Sequence, residues 1–117
     1  MRYMMLIRPD FANSPEGPSE ELMKEMGVLI EEMTKAGVLL DTGGLGGLEE
    51  SSLLHLAAGR TTVVDGPFTE AREVVGGFAL LQVGSRDEAV EWSRRFLEIH
   101  GDQWTMDLEV RPVMEAS

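Results

Sequence analysis

The stretch Asp65-Gly66-Pro67-Phe68-Thr69-Glu70-Ala71-Arg72-Glu73 puts three carboxylates and one guanidinium within nine residues, at and behind a Gly-Pro turn. Asp65 and Glu70 are the candidate catalytic residues. A carboxylate that is buried beside a cation can have its pKa tuned for work as a general base. Arg72 and, near the other end of the chain, Arg111 are candidate substrate-binding residues, because a guanidinium fork pairs with carboxylates bidentately. His55, flanked by Leu54 and Leu56, is a further candidate that either lines a pocket or serves structure. The same charges have a reading without chemistry. Glu70 with Arg72, and Glu109 with Arg111, can form ion pairs that pin a hairpin against a sheet.

Other polar features carry less. Gly43, Gly44, Gly46 and Gly47 fit neither G-x-G-x-x-G, since Glu49 stands where the last Gly is needed, nor a P-loop, since no Lys follows. They read as a flexible loop or a bulged strand end. His55 and His100 are the only histidines and share no metal-ligand spacing. His100 falls in the last turn of a helix, where a cation complements the dipole. The chain has no Cys, hence no disulfide, thiolate nucleophile or Cys-ligated metal. No cofactor and no metal is implied.

The elements that must position these groups follow from caps and periodicity. Tyr3–Arg8 reads as a strand stopped by Pro9 and apolar on both faces, and 10–18 as a loop. Ser19 is an N-cap, Glu20 and Glu21 suit the first turn, and Gly37 suits C′. Between them Leu22, Met26, Leu29, Ile30 and Met33 form one apolar stripe. A second strand starts at Val38–Leu40. Leu53–Ala57 and Thr61–Val64, joined at Ala58-Gly59, form a hairpin, and Phe78–Val83 is another strand apolar on both faces. Ser85 and Glu88 form a capping box for a second helix, with Ala89, Phe96 and Leu97 on its inner face, Trp92 or Ile99 flanking, and Gly101 at its end. In the last strand, Met106–Val113, Leu108 and Val110 face one way and Glu109 and Arg111 the other.

With the hairpin set aside, the order is β-α-β-β-α-β, an α+β ferredoxin-like unit with an inserted hairpin. The 117 residues make one domain, 1–117. Two helices cover one face of a four-stranded sheet, so the other, apolar face needs a partner, and the expectation is a homodimer. Net charge is −11, with no basic cluster, which argues against direct nucleic-acid binding and against an anionic membrane face. The first apolar run is five residues long, too short for a signal peptide core or a membrane span, so the expected location is cytoplasmic.

Asp65-Gly66-Pro67-Phe68, with Glu70, a basic residue at 72 and Glu73, and then Gly76-Gly77-Phe78, resembles the signature of the DGPF branch of the YCII-related family. Tyr3-Met4-Met5-Leu6-Ile7, Ala36-Gly37-Val38-Leu39 and Glu109-Val110-Arg111-Pro112-Val113 fit in order, so the resemblance spans nearly the whole chain. It implies a dimeric ferredoxin-like α+β barrel with a cleft between sheet and loops. The wider group resembles small enzymes for which a catalytic His–Asp pair is proposed, the His following the first strand. No His lies between Pro9 and Lys35 here, so that pair does not carry over. Arg72 also stands where Lys is usual, keeping the charge but changing its geometry. Two functions therefore stay open. One is a small-molecule enzyme acting on a small anionic metabolite in a polar cleft near the Asp65–Phe68 turn. The other is a ligand-binding or regulatory accessory module without catalysis, since some DGPF proteins resemble partners of extracytoplasmic-function sigma factors.

Overall fold

Ser19 starts the first helix as its side chain requires. Its Oγ accepts from the Leu22 N–H at 3.1 Å, and α1 runs Glu20–Lys35. The computed structural model describes residues 1–67 and 74–115. The second helix, α2, spans Arg86–Glu98, with Ser85 Oγ accepting from the Glu88 N–H at 3.1 Å. The return bond of the box is shifted by one residue: the Gly84 N–H, not that of Ser85, donates to Glu88 Oε2 at 2.9 Å. The inner face of α2 is the expected one except at Leu97 and Ser93. Ala89 and Ser93 are its buried residues, and Trp92, Phe96 and Ile99 pack on the core, while Leu97 lies outside the core cluster. Ser93 is tolerated there because its hydroxyl donates to the Ala89 carbonyl one turn back at 2.8 Å.

The strands are β1 (Arg2–Pro9), β2 (Leu39–Gly44), β3 (Ser52–Ala57), β4 (Arg60–Asp65), β5 (Gly77–Gln82) and β6 (Met106–Pro112). Four of them make one antiparallel sheet in the order β2-β5-β1-β6, the expected ferredoxin-like arrangement. Because the side-chain period is two, register decides which residues share a face. Met5 sits opposite Ala79 and Val110, and Tyr3 opposite Leu81, and these side chains meet Leu29 and Met33 of α1 in the core. The other face carries two cross-strand rows, Asp41–Leu80–Met4–Arg111 and Gly43–Phe78–Leu6–Glu109. A Cβ at Gly43 would come within 3.1 Å of Phe78 Cε1, so the end of the glycine run makes room for that ring. A register shift between Leu39 and Asp41 gives β2 a bulge ahead of the glycine run, where Gly43 and Gly44 pair in register with Phe78 and Gly77.

The molecule is flat, 45 × 42 × 18 Å, with helices on one side of the sheet and, among the described residues, no layer on the other. Its radius of gyration is 16.1 Å, against about 13 Å for a compact chain of this length. The excess has a visible source. β3 and β4 form a separate two-stranded sheet, and every residue of both strands is exposed. The hairpin is thus an arm and is not packed against the main sheet. The ion pair proposed to help pin it is not formed: Glu109 faces Arg8, Oε2 to Nη2 at 3.6 Å, across the open face. Among the described residues no helix is long and apolar enough to cross a membrane.

Candidate functional site

The arm is rooted where the Asp-Gly-Pro turn closes against the chain that enters it. Gly66 N–H donates to the Ser51 carbonyl at 2.8 Å, and the Ser52 hydroxyl donates to Asp65 Oδ1 at 3.3 Å. Just before the arm, Leu48–Glu50 forms a single 3-10 turn. A Cβ on residue 66 would stand 1.5 Å from the Leu48 carbonyl oxygen and 2.7 Å from its carbon, both backbone atoms that cannot swing aside. Glycine is therefore required at this position by close approach. The Gly66–Pro67 peptide is cis.

Beside this root lies a cavity of about 440 Å³. Its apolar wall is Phe11, Leu45, Leu48, Pro67, Val74 and Val75, closed by the backbones of Gly46, Gly47 and Gly76 and by Glu49. Phe11 is held in place from the first loop. That loop contains a 3-10 turn over Phe11–Asn13, capped by Asp10, whose carboxylate accepts from the Ala12 N–H at 3.1 Å and from Asn13 Nδ2 at 2.8 Å. The size and the mainly apolar lining match sites that bury a small organic molecule.

The candidate residues are placed unevenly around it. Asp65 ends β4 two residues before Pro67, exposed, with Ser52 as its side-chain partner. His55 is also on the arm, but it pairs with Thr62, an odd number of residues from the Ser52–Asp65 pair, so the two side chains stand on opposite faces. Arg111 is on β6 of the main sheet, exposed, across from Met4 on the open face. The structure does not bring Asp65, His55 and Arg111 together. Glu70 and Arg72 lie outside the described residues, as do Phe68 and Glu73. The residues that sequence reasoning missed are the apolar liners. Phe11, Leu45, Leu48, Val74 and Val75 sit in loop segments where an apolar side chain has no helix or strand to pack into, and that was the available signal.

The shifted titrations belong to exposed ion pairs elsewhere. The Glu32 carboxyl is lowered from its ordinary range chiefly by a hydrogen bond from Arg95, and Glu115 is lowered likewise by Arg2. His100 takes its expected place: Nδ1 donates to the Phe96 carbonyl at 2.8 Å, tying off the end of α2. A larger groove of about 820 Å³ runs between α1 and α2. It is rimmed by the exposed Glu20, Glu21, Glu25 and Glu98, with Val28, Leu29 and Ile99 also lining it, far along the chain from the motif. Among the described residues no three His, Asp or Glu side chains are grouped to hold a metal ion.

Residues 1–114 match the YCII-related domain. The chain is also similar to an uncharacterised protein of Rhizobium meliloti (strain 1021). The two are 32% identical over 94 residues, which is 80% of this chain and 74% of that protein.

Proposed function

From the premise that the chain belongs to the YCII-related family, we propose that it is a homodimer binding a small metabolite in the cavity beside the Asp65–Pro67 turn. The observation that carries this reading is the cavity itself, walled by Pro67 of the motif and by the residues on either side of it. Its apolar wall fits a ligand with an apolar body. The anionic end of that ligand belongs with Arg72. Pro67 and Val74, which both line the cavity, flank in sequence the segment that carries Arg72. Binding is favoured over catalysis because Asp65, His55 and Arg111 point to three different places in one protomer. Catalysis is the second reading, favoured by one observation: Asp65 ends β4 only two residues before Pro67, which lines the cavity. In that reading Asp65 or Glu70 is the general base, and replacing Glu70 and Arg72 abolishes turnover while the melting temperature stays nearly unchanged.

The homodimer is supported by the open sheet face. Met4, Leu6, Phe78 and Leu80 form a half-buried apolar strip there, bounded by Asp41 on one edge and Arg111 with Glu109 on the other. Stacking two such faces across a two-fold axis removes the strip from water.

The test of binding is an amide-shift titration with octanoate, phenylacetate and benzoate, probes that pair an apolar body with a carboxylate. Shifts confined to residues 45–49 and 74–76 are expected, and Arg72→Gln should weaken octanoate at least tenfold while leaving 1-octanol unaffected. Shifts spread over the open sheet face would assign the apolar affinity to the wrong surface.

A further inference from the structure

We propose that the hairpin arm, residues 52–65, is a clasp that lies along the acidic body of a second copy of this chain. The proposal rests on the homodimer reading above and adds an element to its interface. Four observations carry it. First, all residues of β3 and β4 are exposed, and a two-stranded hairpin alone in water is marginal at best. Second, one side of the arm carries an exposed apolar patch midway along it. Leu54 and Leu56 are 66% and 68% exposed, and Val63, paired with Leu54 across the ladder, is 63% exposed. Since paired residues share a face, these three side chains form one contiguous patch. Third, residues 51–64 contain no carboxylate, and Arg60 is their one fixed charge. The chain as a whole is −11, so the residues outside 51–64, Asp65 at the root of the arm among them, sum to −12, and the arm beyond its root is electrostatically suited to the body that bears it. An arm–arm pairing across the axis would instead set one Arg60 near another.

Fourth, the surface area is the right size. The chain exposes 8317 Å². A compact monomer of its mass, 12.9 kDa, exposes about 6,300 Å². The surplus, about 2,000 Å² per chain, falls within the area each protomer gives up in obligate dimers. The four apolar residues of the open sheet face are already half-buried and hold little of it, whereas the arm is exposed along its whole length.

The test is amide hydrogen exchange of residues 53–57 and 61–64 at 0.1 and 50 µM protein, with sedimentation at the same concentrations. The clasp requires exchange in the arm to slow at least tenfold as the dimer forms. Leu54→Glu with Leu56→Glu should restore fast exchange and weaken the dimer at least 100-fold without lowering the melting temperature of the body, which the arm does not support. Arg60→Glu should weaken it about tenfold in 50 mM salt and much less in 500 mM. A dimer whose arm still exchanges fast overturns the clasp and leaves the sheet-face dimer standing. A protein that stays monomeric at 50 µM overturns both. Protection already complete in the monomer assigns the cover to the chain's own body and overturns the clasp.

Discussion

Phe78 offers the cleanest perturbation of the open sheet face. Its ring stands in the row Gly43–Phe78–Leu6–Glu109, on the side away from the helices, and is half-buried. An aromatic side chain presents roughly 200 Å², so about 50 Å² of this ring still meets water in the single chain. Covering it on dimerisation is worth about 1.2 kcal/mol per ring at 25 cal/mol per Å², hence about 2.5 kcal/mol for the two rings of a dimer. Phe78→Ala should therefore raise the dissociation constant about 70-fold. Phe78→Glu adds the cost of confining two carboxylates in an apolar interface, several kcal/mol each, so its loss should exceed roughly 10,000-fold. Because the ring lies outside the helix-facing core, the glutamate variant should keep its secondary structure. Sedimentation velocity from 0.1 to 50 µM reads both variants. If Phe78→Glu sediments as a dimer across that range, the open face is not the interface, and the reasoning from apolar rows is refuted.

Two further outcomes test the local physics. Gly66→Ala forces a Cβ into the Leu48 carbonyl, where C···O contacts ordinarily need about 3.3 Å, so the root of the arm must open by nearly 2 Å. The arm should then lose exchange protection at residues 52–65 while the body melts within about 2 °C of the parent, and Gly46→Ala, with no atom within 4 Å of its Cβ, should change neither. Ser85→Ala removes the acceptor for the Glu88 N–H and should cost about 1 kcal/mol, which lowers the melting temperature by about 4 °C for a chain of this length.

How much of this was legible beforehand depended on how far apart the cooperating residues are. Ser19, Ser85 and Gly37 act within one helical turn, so the helix ends followed from local chemistry. The last strand was legible because Leu108 and Val110 against Glu109 and Arg111 alternate with period two. The detachment of the arm was not, since nothing in Leu53–Val64 says whether a second layer will cover it. Pairing Glu109 with Arg111 rested on their lying on one face, but Arg8 across the ladder comes closer to Glu109. One signal was available and missed. Asp65 pairs with Ser52, and His55 is three residues on, an odd offset that sends the two side chains to opposite faces. The cavity needed four loop segments at once, so only its Pro67 flank was foreshadowed by the motif.

The measurement that tests the central claim most directly is octanoate binding by the parent protein and by Val75→Trp, followed by isothermal calorimetry with the oligomeric state checked in parallel. Val75 lines the cavity of about 440 Å³, and an indole placed there narrows it from a wall that is not part of the open sheet face. The account predicts that the parent binds and that Val75→Trp binds at least tenfold more weakly with the dimer intact. Equal affinity in the two proteins, or no binding by the parent, would contradict it.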